Sequence, residues 1–325
     1  MVNIMNMKVR HIIFLAAAFL CSCQHDIVRE ADFNITLDPS NTYIAGEPVR
    51  FNIEGEVDNI IFYSGETGSQ YKYKDRYSVP AEDVKSVGLT LDFQGRYGNA
   101  GALEVWVSDS FEGLSGEDGA ADRSKMKNLY EQGMPGWAKL DYQEGASTKW
   151  TNQIFDLSSY IENFCIAFHW NPKAFNATQR TYWINGSLSL DLEGAAPTVM
   201  GLSELGFKTV MMNEEIADPY HKNSGNGSII LNNPNTAALI FQGVGANALG
   251  YALDGWAVST PRALDKVAND KATVIKNLQN YMHTYEYIWD EPGTYTVTFV
   301  GTNSNYMASS GHTKEISITI LENLK

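Results

Sequence analysis

Side chains able to do chemistry are plentiful in this sequence, but their spacing is poor for catalysis. Its 325 residues include 38 acids. Carboxylate pairs of the kind that hydrolyse glycosidic bonds are therefore certain to occur and select nothing by themselves. The six histidines, His11, His25, His169, His221, His283 and His312, are isolated from one another. No H-E-x-x-H spacing sets two of them on one helical face for zinc. No G-x-S-x-G nucleophile elbow occurs, since Gly113-Leu-Ser-Gly-Glu117 lacks the last glycine. Gly243-Val-Gly-Ala-Asn-Ala248 imitates a dinucleotide loop. Turn and strand residues follow it, however, where a helix would have to present its N-terminus to phosphate. Cys165, within Phe164-Cys-Ile-Ala-Phe168, reads as a small buried apolar residue.

Two chemistries stay open. The segment 108–122 carries Asp109, Glu112, Glu117, Asp118 and Asp122, oxygen ligands of the kind that hold a structural calcium. A solvated acidic loop is the other reading, and no further cofactor is expected. Aromatic residues give the second lead. Sugars present flat C–H faces on which indole and phenol rings stack, while amides and acids take their hydroxyls. Trp137, Trp183 and Trp256 lie in alternating apolar strands and read as structural. Trp106 shares a strand face with Glu104 and Ser108, opposite Leu103, Val105 and Val107. Trp170 opens the loop 171–180. Trp106 and Trp170 are the expected stacking rings, with Glu104, Arg180 and Tyr182 as their hydrogen-bonding neighbours.

The elements that must hold these residues are strands. Phe33-Asn-Ile-Thr-Leu37, Val49-Arg-Phe-Asn-Ile53 and Asn59-Ile-Ile-Phe-Tyr63 alternate near the front. Tyr285-Glu-Tyr-Ile-Trp289, Thr294 to Val300 and Lys314 to Ile320 alternate at the end. Between them lie Leu103 to Ser108, Ile154 to Leu157, Phe164 to Trp170, Tyr182 to Ile184, Ser187 to Leu190, Ser228 to Leu231 and Ala238 to Phe241. A turn is expected over 302–305, and one helix over 265–279.

Aromatic residues make up 12% and hydrophobic residues 44%, enough for a packed core. The net charge is −14. Residues 1–22 hold two of the 24 basic residues and none of the 38 acids, so the remainder stands at 22 against 38, or −16. Such a body is repelled by phosphate backbones, and no nucleic-acid partner is expected.

The first 22 residues read as an export signal. Lys8 and Arg10 precede the short apolar run Ile12 to Leu20, which is too short to span a bilayer. Leu20-Cys21-Ser22-Cys23 resembles the lipobox of bacterial lipoproteins, which implies acylation of Cys23 and a membrane anchor. Asp26 and Glu30 then resemble the surface-export signals of gut-commensal outer-membrane lipoproteins.

The two ends of the chain resemble halves of one domain. Gly46…Val49…Phe51 and Ile60-Ile-Phe-Tyr-Ser-Gly65, with Tyr287…Pro292-Gly293-Thr-Tyr295-Thr-Val297…Asn303, resemble a PKD-type immunoglobulin-like domain. Asp156-Leu-Ser-Ser-Tyr160, Ile166-Ala-Phe168 and Thr181-Tyr-Trp-Ile184 are similar to galactose-binding-like jelly rolls. As a whole the chain resembles the DUF5017 group of gut-bacterial lipoproteins. The expected class is therefore all-β: a PKD-like sandwich, residues 33–86 plus 260–325, interrupted by a jelly-roll sandwich at 87–259, behind a signal peptide at 1–22 and a tether at 23–32. The resemblance implies non-catalytic glycan binding within a polysaccharide-utilisation system, at the outer membrane facing the exterior, beside glycan importer proteins. A glycoside hydrolase and a protein-binding adhesin are the alternatives.

Overall fold

The computed structural model describes residues 28–38, 42–173, 176–216, 227–233 and 237–324. The export segment, Cys23 and the start of the expected tether lie outside the described residues. Of the tether's last residues, Ala31 is buried and Asp32 begins a strand. The chain divides into two compact units, Met1–Arg76 with Asn269–Lys325, and Tyr77–Ala268.

The first unit takes strands from both ends of the chain. β1 (Asp32–Thr36), β2 (Tyr43–Ile44), β3 (Pro48–Glu56) and β4 (Asn59–Tyr63) come from the front, and β16 (Thr273–Lys276), β17 (Thr284–Ile288), β18 (Gly293–Ser304) and β19 (Ser309–Leu321) from the end. They form two sheets, β1-β3-β17 and β16-β4-β18-β19-β2. Val49 lies opposite Tyr287, and Phe62 opposite Phe299, so each sheet joins front to end. Alternation decides burial: in β3, Val49, Phe51 and Ile53 are buried while Arg50, Asn52 and Glu54 are exposed. Phe51, Phe62, Trp289 and Phe299 pack in edge-on and tilted pairs 5.1 to 6.2 Å apart, the arrangement that ring quadrupoles favour.

Two sequence expectations change here. The segment 265–279 is not helical; Thr273–Lys276 pairs with β4. β-branched Val274 and Ile275 suit a strand, and they cover a side of β4 that would otherwise be an open edge. The turn expected over 302–305 falls later, because β18 runs on to Ser304. Asn305 makes that turn, its side-chain oxygen accepting from the amides of Met307 and Ala308.

The second unit is a larger sandwich. Its strands are β5 (Val84–Arg96), β6 (Leu103–Ser108), β7 (Trp137–Leu140), β8 (Trp150–Asp156), β9 (Cys165–Trp170), β10 (Thr181–Leu192), β11 (Thr198–Gly201), β12 (Lys208–Met211), β13 (Ser228–Asn233), β14 (Ala237–Gln242) and β15 (Gly255–Val258). One sheet runs β13-β14-β10-β5-β8, with β11 beside β10; the other runs β12-β15-β9-β6-β7. Leu91, Phe93, Val105, Phe168, Tyr182 and Phe241 are among the residues of the core they enclose. The unit boundaries fall at 76/77 and 268/269, not at the expected 86/87 and 259/260. Val79 and Leu264 are buried in the larger core, which draws both flanking segments into it.

The acidic segment expected as a loop in fact leads into a helix, α1 (Gly119–Glu131). Asp118 is its N-cap, accepting from the amide of Ala121. Asp122, buried in its first turn, takes the amides of Ser115 and Gly116 on its two carboxylate oxygens. At the other end Gly133, with φ +78°, supplies the left-handed residue of a Schellman close: its amide bonds the Tyr130 carbonyl and that of Met134 bonds Leu129. Met126 and Leu129 pack on the second sheet with Trp256, Val258 and Phe111.

Candidate functional site

The outer face of β8, β5 and β10 carries two tryptophans with the buried Gln94 between them. Cross-strand register places Trp150, Gln94 and Trp183 side by side on three adjacent strands. All three sit on the face opposite Leu91, Phe93, Tyr182 and Ile184, which point into the core. Trp150, on the edge strand, is 46% exposed. Trp183 is half-buried, and the Arg96 guanidinium lies 3.9 Å from its ring centroid. Arg96 is fixed by donating to Gln94 Oε1 at 3.0 Å, and Gln94 donates in turn to the Thr148 carbonyl at 2.9 Å. One step along, Asn185, Asp92 and Asn152 form a second row, with Asn152 donating to Asp92 at 2.7 Å. Two strand spacings separate the tryptophans, about 9–10 Å, so they would meet successive parts of an extended ligand.

The other sheet brings together two of the expected residues. Glu104 on β6, His169 on β9 and Trp256 on β15 are direct cross-strand neighbours. His169 is buried and stacks on Trp256 at 4.1 Å, with the half-exposed Tyr130 ring edge-on at 4.5 Å. Its Nδ1 lies 3.3 Å from Glu104 and its Nε2 2.9 Å from Asp254. Burial works against the imidazolium, but the hydrogen bonds to Asp254 and Glu104 outweigh it and raise the pKa of His169. The same hydrogen bond, with Lys139 at 2.7 Å, holds Glu104 at about 2 despite its partial burial. The Trp106 indole donates to Glu104 at 3.3 Å. Trp106 is half-buried against α1's side of the sheet rather than standing free.

Trp170, Arg180 and Tyr182 do not line a surface. Trp170 is fully buried in the core, 5.9 Å from Phe241, and its indole donates to the Arg180 carbonyl at 3.0 Å. The reason is position: β9 lies in the middle of its sheet, and Ile166, Phe168 and Trp170 share its inner face. Arg180, 5% exposed, pairs with Glu144 at 2.8 Å and donates to the carbonyls of Tyr97 and Gly98. Glu144 also accepts from the Tyr182 hydroxyl at 2.5 Å and the Gly101 amide at 2.8 Å. Burial, then Glu144, pushes the Tyr182 phenol above its ordinary range. This cluster ties three loops together and is structural. Gly95 is part of it: a Cβ there would stand 2.5 Å from the guanidinium.

Asp109, Glu117 and Asp118 are not drawn into one group. Among the described residues no cluster of three or more His, Cys, Asp or Glu is placed to hold a metal. Gly243 packs flat on the Gln179 carbonyl, a close backbone approach that explains its lack of a side chain. Cys165 is buried, donates to the Ser259 carbonyl, and has its thiol pushed up to about 12 by burial. Sequence reading passed over Trp150, Tyr130, Lys139 and Asp254. Trp150 had a usable signal, since Trp150-Thr-Asn-Gln153 is too polar for its ring to be core on alternation alone. Asp254 had none, being 85 residues from His169.

The fold and these faces define an all-β sandwich protein with fixed aromatic and polar rows on its larger unit. Residues 22–200 match the domain of unknown function DUF5017, and the chain belongs to that family. The matched stretch contains Glu104, Trp150, His169 and Trp183, while Asp254 and Trp256 lie beyond it. No curated protein and no solved structure matches the chain.

Proposed function

We propose that this chain is a lipid-anchored outer-membrane protein, facing the exterior, that binds glycan without cleaving it beside the importers of a polysaccharide-utilisation system. The observation that carries the reading is the Trp150–Gln94–Trp183 row, with an exposed ring at one end and Asn185, Asp92 and Asn152 beside it. Rings offer stacking faces, and the polar row offers the donors and acceptors that sugar hydroxyls need. The split first unit stands as a PKD-like spacer and the second as a jelly-roll binding body. The carboxylates near His169 suit binding better than hydrolysis. A general acid needs a raised pKa, whereas Glu104 is held at about 2. Both imidazole nitrogens face carboxylates, which leaves neither for a nucleophile.

The anchor rests on Leu20-Cys21-Ser22-Cys23 and on early acids after it. Among the described residues no helix is long and apolar enough to cross a membrane. Palmitate should label the wild type and not Cys23→Ala, which should leave the membrane fraction; labelling of the variant refutes the anchor. A glycan array probed with the purified chain tests the binding reading. Retention of a related set of glycans, recovered at full length, is expected. A blank array contradicts the reading, and shortened products would make the chain a hydrolase.

A further inference from the structure

We infer that the cavity between α1 and the β6–β7 pair is a second binding site, one that takes a single neutral pyranose ring. The cavity measures about 350 Å³, within the range of small-ligand pockets. Trp137 and Phe111 form its aromatic side, with ring centroids 5.0 Å apart and planes tilted by 53°. Asn128 on α1 and Gln132, which caps the end of α1, bring two side-chain amides to it, and Ser110 and Glu112 add a hydroxyl and a carboxylate.

The apolar side is held still. Lys125 stands 4.7 Å from the Phe111 ring centroid while donating to the Gly113 carbonyl at 2.8 Å. Asn163 donates to the Phe111 carbonyl at 2.9 Å, and Ser108, fixed on the Gly136 carbonyl at 2.7 Å, accepts the Phe111 amide. Trp137 is only half-buried although its strand neighbour Ser108 is fully buried. A half-buried indole packed on the held Phe111 ring, beside amides and a carboxylate, is a recognition surface for a ring with one flat C–H face and several hydroxyls. Glu112 and Lys125 carry opposite charges, so an anionic ligand gains nothing over a neutral one. The volume fits one sugar residue, a chain end or branch, and not an extended strand. No residue of this cavity belongs to the Trp150 row, so the two sites stand or fall separately.

The test uses the purified full chain and three probes: methyl α-D-glucopyranoside, methyl α-D-mannopyranoside and methyl β-D-galactopyranoside. Each is titrated by saturation-transfer NMR. One of them is expected to saturate. Asn128→Ala/Gln132→Ala, at an exposed helical position and at the exposed C-cap whose backbone amide, not its side chain, closes the helix, should weaken it about tenfold through the lost hydrogen bonds, with the melting temperature kept. Trp150→Ala should leave this affinity unchanged. Absence of saturation by every probe overturns the inference. So does wild-type affinity in the double variant, and so does loss of binding in Trp150→Ala, which would move the ligand to the row.

Discussion

His169 shows what one buried titratable residue does for this fold. Its pKa is raised above the ordinary histidine value and that of Glu104 is lowered to about 2, so each residue favours the charged form of the other. The sign of each effect follows from linkage. A raised histidine stabilises the fold fully below its ordinary value of 6.5 and loses that contribution as pH climbs through its folded value. A depressed glutamate stabilises above its ordinary 4.5 and loses that contribution as pH falls towards 2. The pair therefore supports the fold most between pH 4.5 and 6.5. NMR titration should find the His169 ring still protonated above its ordinary midpoint, and Glu104→Gln should bring that midpoint down. An unmoved midpoint in Glu104→Gln would show that Asp254 alone holds the proton. His169 stands isolated in the sequence, and its partners lie on β6, 65 positions away, and just before β15, 85 positions away, so only the fold unites them.

At the scale of elements, alternation made most strands readable: buried and exposed residues take turns in β3, and buried and half-buried ones in β6 from Leu103 to Val107. It failed where capping outweighed periodicity. The acids that suggested a calcium loop belong to the start of α1: Asp118 caps it, and Asp122 faces amide donors where a cation would have to sit. Asp118→Ala should cost about 1 kcal/mol. Asp122→Ala should cost about 2 kcal/mol, since it removes the charge-assisted bonds from the Ser115 and Gly116 amides. Thermal melts with and without EDTA should coincide for the wild type. A chelator-induced fall would return calcium to this segment. The missing helix at 265–279 has a similar lesson. Its residues were helix-compatible locally, and pairing with β4 decided otherwise.

At the scale of the whole molecule, strands from the front and the end of the chain form one sandwich, and the segment between them forms a second. The Tyr287…Pro292-Gly293-Thr-Tyr295 string and the front strands made that legible, because turn chemistry is local. The face proposed to bind was not legible: Trp170, Arg180 and Tyr182 lie inside, and the exposed ring is that of Trp150, on an edge strand. A ring's depth depends on where its strand sits in the sheet, which sequence spacing does not record.

The most direct test of glycan recognition on the β8-β5-β10 face is calorimetry of Trp150→Ala against a glycan retained on the array. Loss of the exposed stacking ring should weaken binding about tenfold. The melting temperature should stay close to wild type, because the ring is 46% exposed. Trp170→Ala, by contrast, should lose about 3–5 kcal/mol of stability. Wild-type affinity in Trp150→Ala would contradict the assignment of the ligand to this face.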